Sequence, residues 1–107
     1  MRDDKETTAT MGTLTYGSPS ITLPFEDRLL AHLQAVILAK LRRDEKFSFT
    51  CPHGDAGSTS VWVHPSIPLV FTFDDGSRPP LNRAWIELLM HSANGGSGLT
   101  VVAEPKA

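Results

Sequence analysis

The 107-residue chain has one cysteine, Cys51. A lone cysteine excludes an intramolecular disulfide and any multi-cysteine zinc site, and it accords with a reducing compartment. Neither sign of charge is in excess: ten Lys and Arg against twelve Asp and Glu leave a formal net charge of −2. A field that weak neither draws in nor repels nucleic acid, so any polyanion site must come from local clustering. No run approaches the roughly 18 apolar residues of a membrane-spanning helix. The N-terminal MRDDKETTAT lacks the apolar core of a secretory signal. Internal repeats and low-complexity segments are absent. These absences lead us to expect a cytoplasmic protein with no membrane partner.

What is present is ordinary for a globular domain. The hydrophobic share of 40% and the charged share of 21% suit one domain of common size. Residues 1–10 are polar and aperiodic, and we expect a disordered extension there; Met11 is a candidate natural start. TLTYG (Thr13–Gly17) alternates as a half-buried strand does. Gly17–Ser20 is turn chemistry, and ITLPF (Ile21–Phe25) reads as the return strand. Pro24 cannot donate to a ladder, which puts this strand at an edge or ends it there.

Glu26–Arg43 carries the strongest helical signal. Leu29, Leu30, Leu33, Val36, Ile37 and Leu41 form one apolar stripe. Glu26 and Asp27 at its start and Lys40, Arg42 and Arg43 at its end complement the macrodipole. Strands are expected over Lys46–Cys51, Thr59–Pro65, Leu69–Phe73 and Gly98–Glu104, with a loop from Cys51 to Ser58. GSRPPLNRAW (Gly76–Trp85) starts a second helix: Pro79 and Pro80 suit a first turn, and Leu81, Trp85, Leu88 and Leu89 give helical spacing up to a stop at Asn94–Gly95. The predicted order is ββαβββαβ, an α+β single domain over residues 11–104 with a tail at 105–107. We expect a single, mostly antiparallel sheet with both helices packed on one face.

Two clusters are candidates for anion or nucleic-acid binding. In the first, backbone N–H groups at a helix start stand beside Arg78, Asn82 and Arg83. The plainer reading, a helix start whose Trp85 fills the core, is preferred. In the second, KLRRDEK, the cations Lys40, Arg42 and Arg43 could meet a phosphate backbone. They also complement a helix C-terminus, Asp44 and Glu45 partly cancel them, and no aromatic residue is interleaved for stacking. Trp62 and His64 lie opposite Val61 and Val63 on their strand and are a candidate interaction surface.

Catalysis finds no support in the pattern. Cys51, His53, Asp55 and His64 match no zinc spacing. There is no Gly-x-Ser-x-Gly elbow, and Ser66 beside His64 is sequence adjacency alone. Gly95–Gly98 follows a helix instead of leading into one, unlike a phosphate loop. No metal and no cofactor is expected.

MGTLTYG, FEDRLLAHLQAVILAKLRR, VWVHPSIPLVFTF and GSRPPLNRAWIELLMHSA together resemble a functionally uncharacterised family found in actinobacteria, notably Microbacteriaceae. Its members span about 100 residues, an ordinary domain size. The resemblance runs from Met11 to about Glu104 and implies that residues 1–10 are an extension. Members of that family often carry the label "ATP-dependent DNA ligase". Adenylation needs a lysine nucleophile in a Lys-x-Asp-Gly setting. Lys5, Lys40, Lys46 and Lys106 are followed by Glu-Thr-Thr, Leu-Arg-Arg, Phe-Ser-Phe and Ala, so the residues do not support that label. The expectation is a non-enzymatic binding or regulatory module that self-associates or binds another protein. The alternative is a nucleic-acid- or nucleotide-associated protein using its basic clusters.

Overall fold

Alternation begins at Met11 and is used at once. In the computed structural model, which describes residues 10–53, 56–76 and 80–106, β1 (Met11–Tyr16) buries Gly12, Leu14 and Tyr16 and turns Thr13 and Thr15 outward. It pairs antiparallel with β2 (Ile21–Glu26), from Met11↔Glu26 to Tyr16↔Ile21. α1 (Asp27–Arg42) follows without a break and buries Leu30, Leu33, Val36 and Ile37, with Leu29 and Leu41 at the margins. β3 (Phe47–His53) and β4 (Gly57–Val63) form an antiparallel hairpin, with Phe47 opposite Val63. β5 (Leu69–Thr72) returns to pair with β1. α2 (Arg83–Ala93) and β6 (Leu99–Thr100) complete the fold.

The expected element order and α+β class hold, but the single sheet resolves into two. One has the order β2-β1-β5 and the other β4-β3-β6. Among the described residues only the β3–β6 pair is parallel. Pro65 and Pro68 flank the connection from β4 to β5, and a residue without an N–H cannot extend a ladder. β5 therefore leaves β4 and joins β1. Pro24 sits in β2, an edge strand, as its missing donor requires. α1 packs on β1 and β2, α2 packs on β3 and β6, and the helices pack on each other. The Phe25 and Phe49 rings, 6.0 Å apart, join the two halves of the core. The Tyr16 hydroxyl donates to the Trp62 carbonyl and accepts from the His64 amide, a second tie between the sheets.

Several boundaries differ from expectation, each for a local reason. The last strand covers only Leu99–Thr100 of the expected Gly98–Glu104. Beyond it, the carbonyls of Val102 and Pro105 accept from the Trp85 indole and the Asn82 amide instead of a neighbouring strand. The expected Cys51–Ser58 loop is mostly hairpin, paired out to His53↔Gly57. α2 starts at Arg83 with Asn82 as its N-cap, so Pro80 precedes the helix and does not enter its first turn. Leu81 and Leu88 are exposed, and the buried stripe is Trp85, Leu89 and Ala93. The helix ends on a right-handed Asn94, and neither Asn94 nor Gly95 has the left-handed conformation expected of a stop there; the positive φ falls at Gly98.

Candidate binding site

On α1 the face opposite the leucine stripe carries small residues. Ala31, Ala35, Leu38 and Arg42 recur at three- and four-residue steps and therefore share one side. With Phe71 and Phe73 from the end of β5, and Leu81 from the segment before α2, they line a groove of about 710 Å³. Alanines make the floor shallow, and the phenylalanines and Leu81 raise its sides.

The two ends of the groove differ in charge, and the sequence fixes why. Asp27 in the first turn of α1 is buried, yet its carboxylate has three donors. The Thr10 hydroxyl donates at 2.7 Å, the Asp75 amide at 2.9 Å and the Asp74 amide at 3.2 Å. Burial alone would push its pKa up; the Thr10, Asp75 and Asp74 bonds outweigh that and hold it below the ordinary aspartate value. The clamp fixes Asp74 and Asp75 at the N-terminal end of the helix. Arg42, the last residue of α1, stands at the other end and makes no ion pair among the described residues. At the rise of an α-helix the two ends are about 22 Å apart.

The Leu81 side is held by a buried polar network. Asn82 uses its side-chain oxygen to accept from the Ala84 and Trp85 amides, and its Nδ2 donates to Glu104 at 3.0 Å and the Pro105 carbonyl at 2.9 Å. Its backbone amide donates to Nε2 of His32. Arg28 grips Glu104 through two bonds, Nε at 2.8 Å and Nη2 at 2.6 Å, and donates to the Pro80 carbonyl. The Arg28 guanidinium, with Asn82 second, holds the Glu104 carboxyl at about 2. Glu104 in turn raises the Arg28 pKa. Pro80 and Asn82, on either side of Leu81, are thus fastened to α1 and to the C-terminal segment.

Residues 11–104 match the family model described as Domain of unknown function (DUF7882). The chain belongs to that family. No curated protein and no solved structure matches it.

Within this DUF7882 domain, the residues singled out in the sequence are dispersed. Arg78 lies outside the described residues. Asn82 is buried and fully engaged as a cap, while Arg83 is exposed on the first turn of α2. Lys40, Arg42 and Arg43 have three different settings. The Lys40 ammonium is buried, donating to Asn94 Oδ1 at 2.6 Å and pairing with Glu45 at 3.0 Å. Arg43 is exposed and also pairs with Glu45, whose pKa is lowered first by Lys40. Arg42 alone of the three lines the groove. Trp62 is exposed, whereas the His64 ring accepts from the Ser66 amide at 3.0 Å in a turn. Cys51 is buried, which pushes its thiol pKa up. Among the described residues no three His, Cys, Asp or Glu side chains are grouped to hold a metal, and no helix is long and apolar enough to cross a membrane.

The sequence reading missed the groove, Asp27 and His32. The Ala31–Ala35–Leu38 periodicity and the shared parity of Phe71 and Phe73 were the available signals. The Asp75 and Asn82 amides that bond to Asp27 and His32 are 48 and 50 positions away along the chain and left no local trace.

Proposed function

We propose that this domain is a non-catalytic interaction module that pairs with a second copy of itself along the α1 groove. The observation that supports this is the groove's polarity: the acidic Asp74 at the N-terminal end of α1, a basic end at Arg42, and an apolar floor between them. A two-fold pair is isologous, so one patch must complement itself. Antiparallel stacking of two such grooves sets Arg42 of one protomer against the acidic end of its partner. The exposed Leu81 of each then rests on the alanines of the other, which removes apolar surface from water.

The non-catalytic part rests on how the reactive side chains are spent. The Cys51 thiol is buried, and both ring nitrogens of His32 are bonded to backbone. Lys40, wedged against Glu45 and Asn94, is unsuited to the adenylation that a ligase reaction requires. A reducing, cytoplasmic setting suits the single thiol.

Light scattering coupled to size exclusion, run over a wide range of concentration, measures the pairing. The expected result is a two-protomer mass that dissociates on dilution. Arg42→Glu weakens it by about tenfold or more, and adding Asp74→Arg to that variant restores much of the loss. A monomer at every concentration, or a dimer indifferent to both Arg42→Glu and Leu81→Asp, would overturn the proposal.

A further inference from the structure

A second hollow shares no lining residue with the groove. It forms where the hairpin register sets Ser48 opposite Trp62. Ser48 therefore faces the same way as Trp62, and Lys46, just before β3, lines the same hollow. The basic Lys40–Lys46 segment, which has no aromatic residue of its own, thereby gains one from β4. Trp62 is 58% exposed, the most exposed large apolar residue among the described residues. Beside it the hollow measures about 400 Å³ and is bounded by Lys40, Lys46, Ser48, Asn94, Gly95, Gly96 and Gly98.

Three donors border this hollow. Lys46 is exposed and makes no ion pair among the described residues. Lys40 uses two of its N–H bonds, on Asn94 and Glu45. In the turn, the Gly95 and Gly98 amides reach backbone carbonyls at 3.0 and 3.1 Å. The Gly96 amide has no acceptor among the described residues and lies at the exposed surface. Among the described residues Glu45 is the only acid in the lining, and it is already matched by Lys40 and Arg43. The hollow therefore carries a local excess of positive charge in a chain whose net charge is −2.

We propose that this hollow binds a nucleotide unit, its base stacked on Trp62 and its phosphate accepting from Lys46 and the Gly96 amide. A neutral sugar would use the indole but leave the cations idle. An acidic peptide would use the cations but has no flat face for the indole. A base joined to a phosphate uses both, and stacking on tryptophan tolerates any base. The site stands independently of pairing along the groove.

The full chain is titrated with AMP, adenosine, inorganic phosphate and a short single-stranded oligonucleotide, following tryptophan fluorescence and heat of binding. AMP should quench the Trp62 emission and bind about tenfold or more tighter than adenosine or phosphate alone. Trp62→Ala should abolish the response, and Lys46→Glu should weaken binding by about tenfold. The near-UV signal of buried Trp85 reports whether each variant is folded, and Lys46→Glu decides if Trp62→Ala is not. The oligonucleotide separates the sources: tighter, strongly salt-dependent binding points to a strand, and affinity no better than AMP points to a free nucleotide. Absence of binding by both AMP and the oligonucleotide, or binding that survives in a folded Trp62→Ala variant, would overturn the proposal.

Discussion

The backbone amide of Asn82 donates to Nε2 of His32 at 2.8 Å, across 50 residues of sequence. That bond fixes the imidazole: with Nε2 an acceptor, Nδ1 carries the proton and donates to the Arg28 carbonyl at 2.7 Å. The ring also lies 4.5 Å from that of Trp85. One fully buried histidine thereby ties the N-cap of α2 to the first turns of α1.

Replacing it tests that tie. In His32→Leu the Asn82 amide is buried with no acceptor, which costs about 1–3 kcal/mol. For a domain of this size, each kcal/mol lowers the melting temperature by about 4–8 °C. Calorimetry should show that drop, and the near-UV dichroism of Trp85 should change with it. A melting temperature equal to that of the parent would mean that the bond contributes nothing.

Acid should weaken the same region. The Glu104 carboxyl sits at about 2 when folded against an ordinary value of 4.5. A depressed carboxylate contributes stability that is fully present above the unfolded value and is lost as pH falls through the folded one. Stability should therefore decline from about pH 4.5 toward pH 2. Glu104→Gln should be less stable than the parent at neutral pH, with the difference closing as pH approaches 2. The acid sensitivity left in that variant belongs in part to Asp27, also depressed, and Asp27→Asn should reduce it further. Melting temperatures across this range for the three proteins check the sign; parallel curves for Glu104→Gln and the parent would refute it.

How much of this was visible in the sequence depends on how far each interaction reaches. The leucine stripe of α1 repeats within a few residues and was legible, as were the β1–β2 turn and the edge position imposed by Pro24. The division into two sheets turns on β5 choosing β1 over β4, a choice across more than 50 positions. The prolines at 65 and 68 signalled the break but not the destination. Gly98–Glu104 looked like a strand because strand propensity is local, whereas side chains from Arg28, Asn82 and Trp85 decided its outcome. The clusters around Lys40 and Arg83 were legible as charge, but only packing reveals that Lys40 is buried. The indole beside Lys46 follows from register, which no local pattern displays.

Glycine positions separate close packing from open space. A Cβ on Gly12 would overlap the Thr72 carbonyl and stand 2.7 Å from Asp27 Oδ1 and 2.9 Å from Leu30 Cδ2. Two of those neighbours cannot yield cheaply: one is the backbone of the β1–β5 ladder, and the other is the carboxylate that clamps Asp74 and Asp75. Gly12→Ala should therefore cost about 1–3 kcal/mol and loosen the acidic rim of the groove along with the sheet. Gly98 combines a φ of +80° with overlap of Ser48, so Gly98→Ala meets both strain and collision. At Gly96 the added methyl would touch nothing within 4 Å, and Gly96→Ala should stay within about 0.5 kcal/mol of the parent. Chemical denaturation of the three variants gives the ranking directly. Gly12→Ala and Gly98→Ala should unfold at clearly lower denaturant than Gly96→Ala, and hydrogen exchange at the Asp74 and Asp75 amides should quicken in Gly12→Ala alone. Equal midpoints for Gly12→Ala and Gly96→Ala would mean that β1 and β5 do not approach at Gly12 as closely as described.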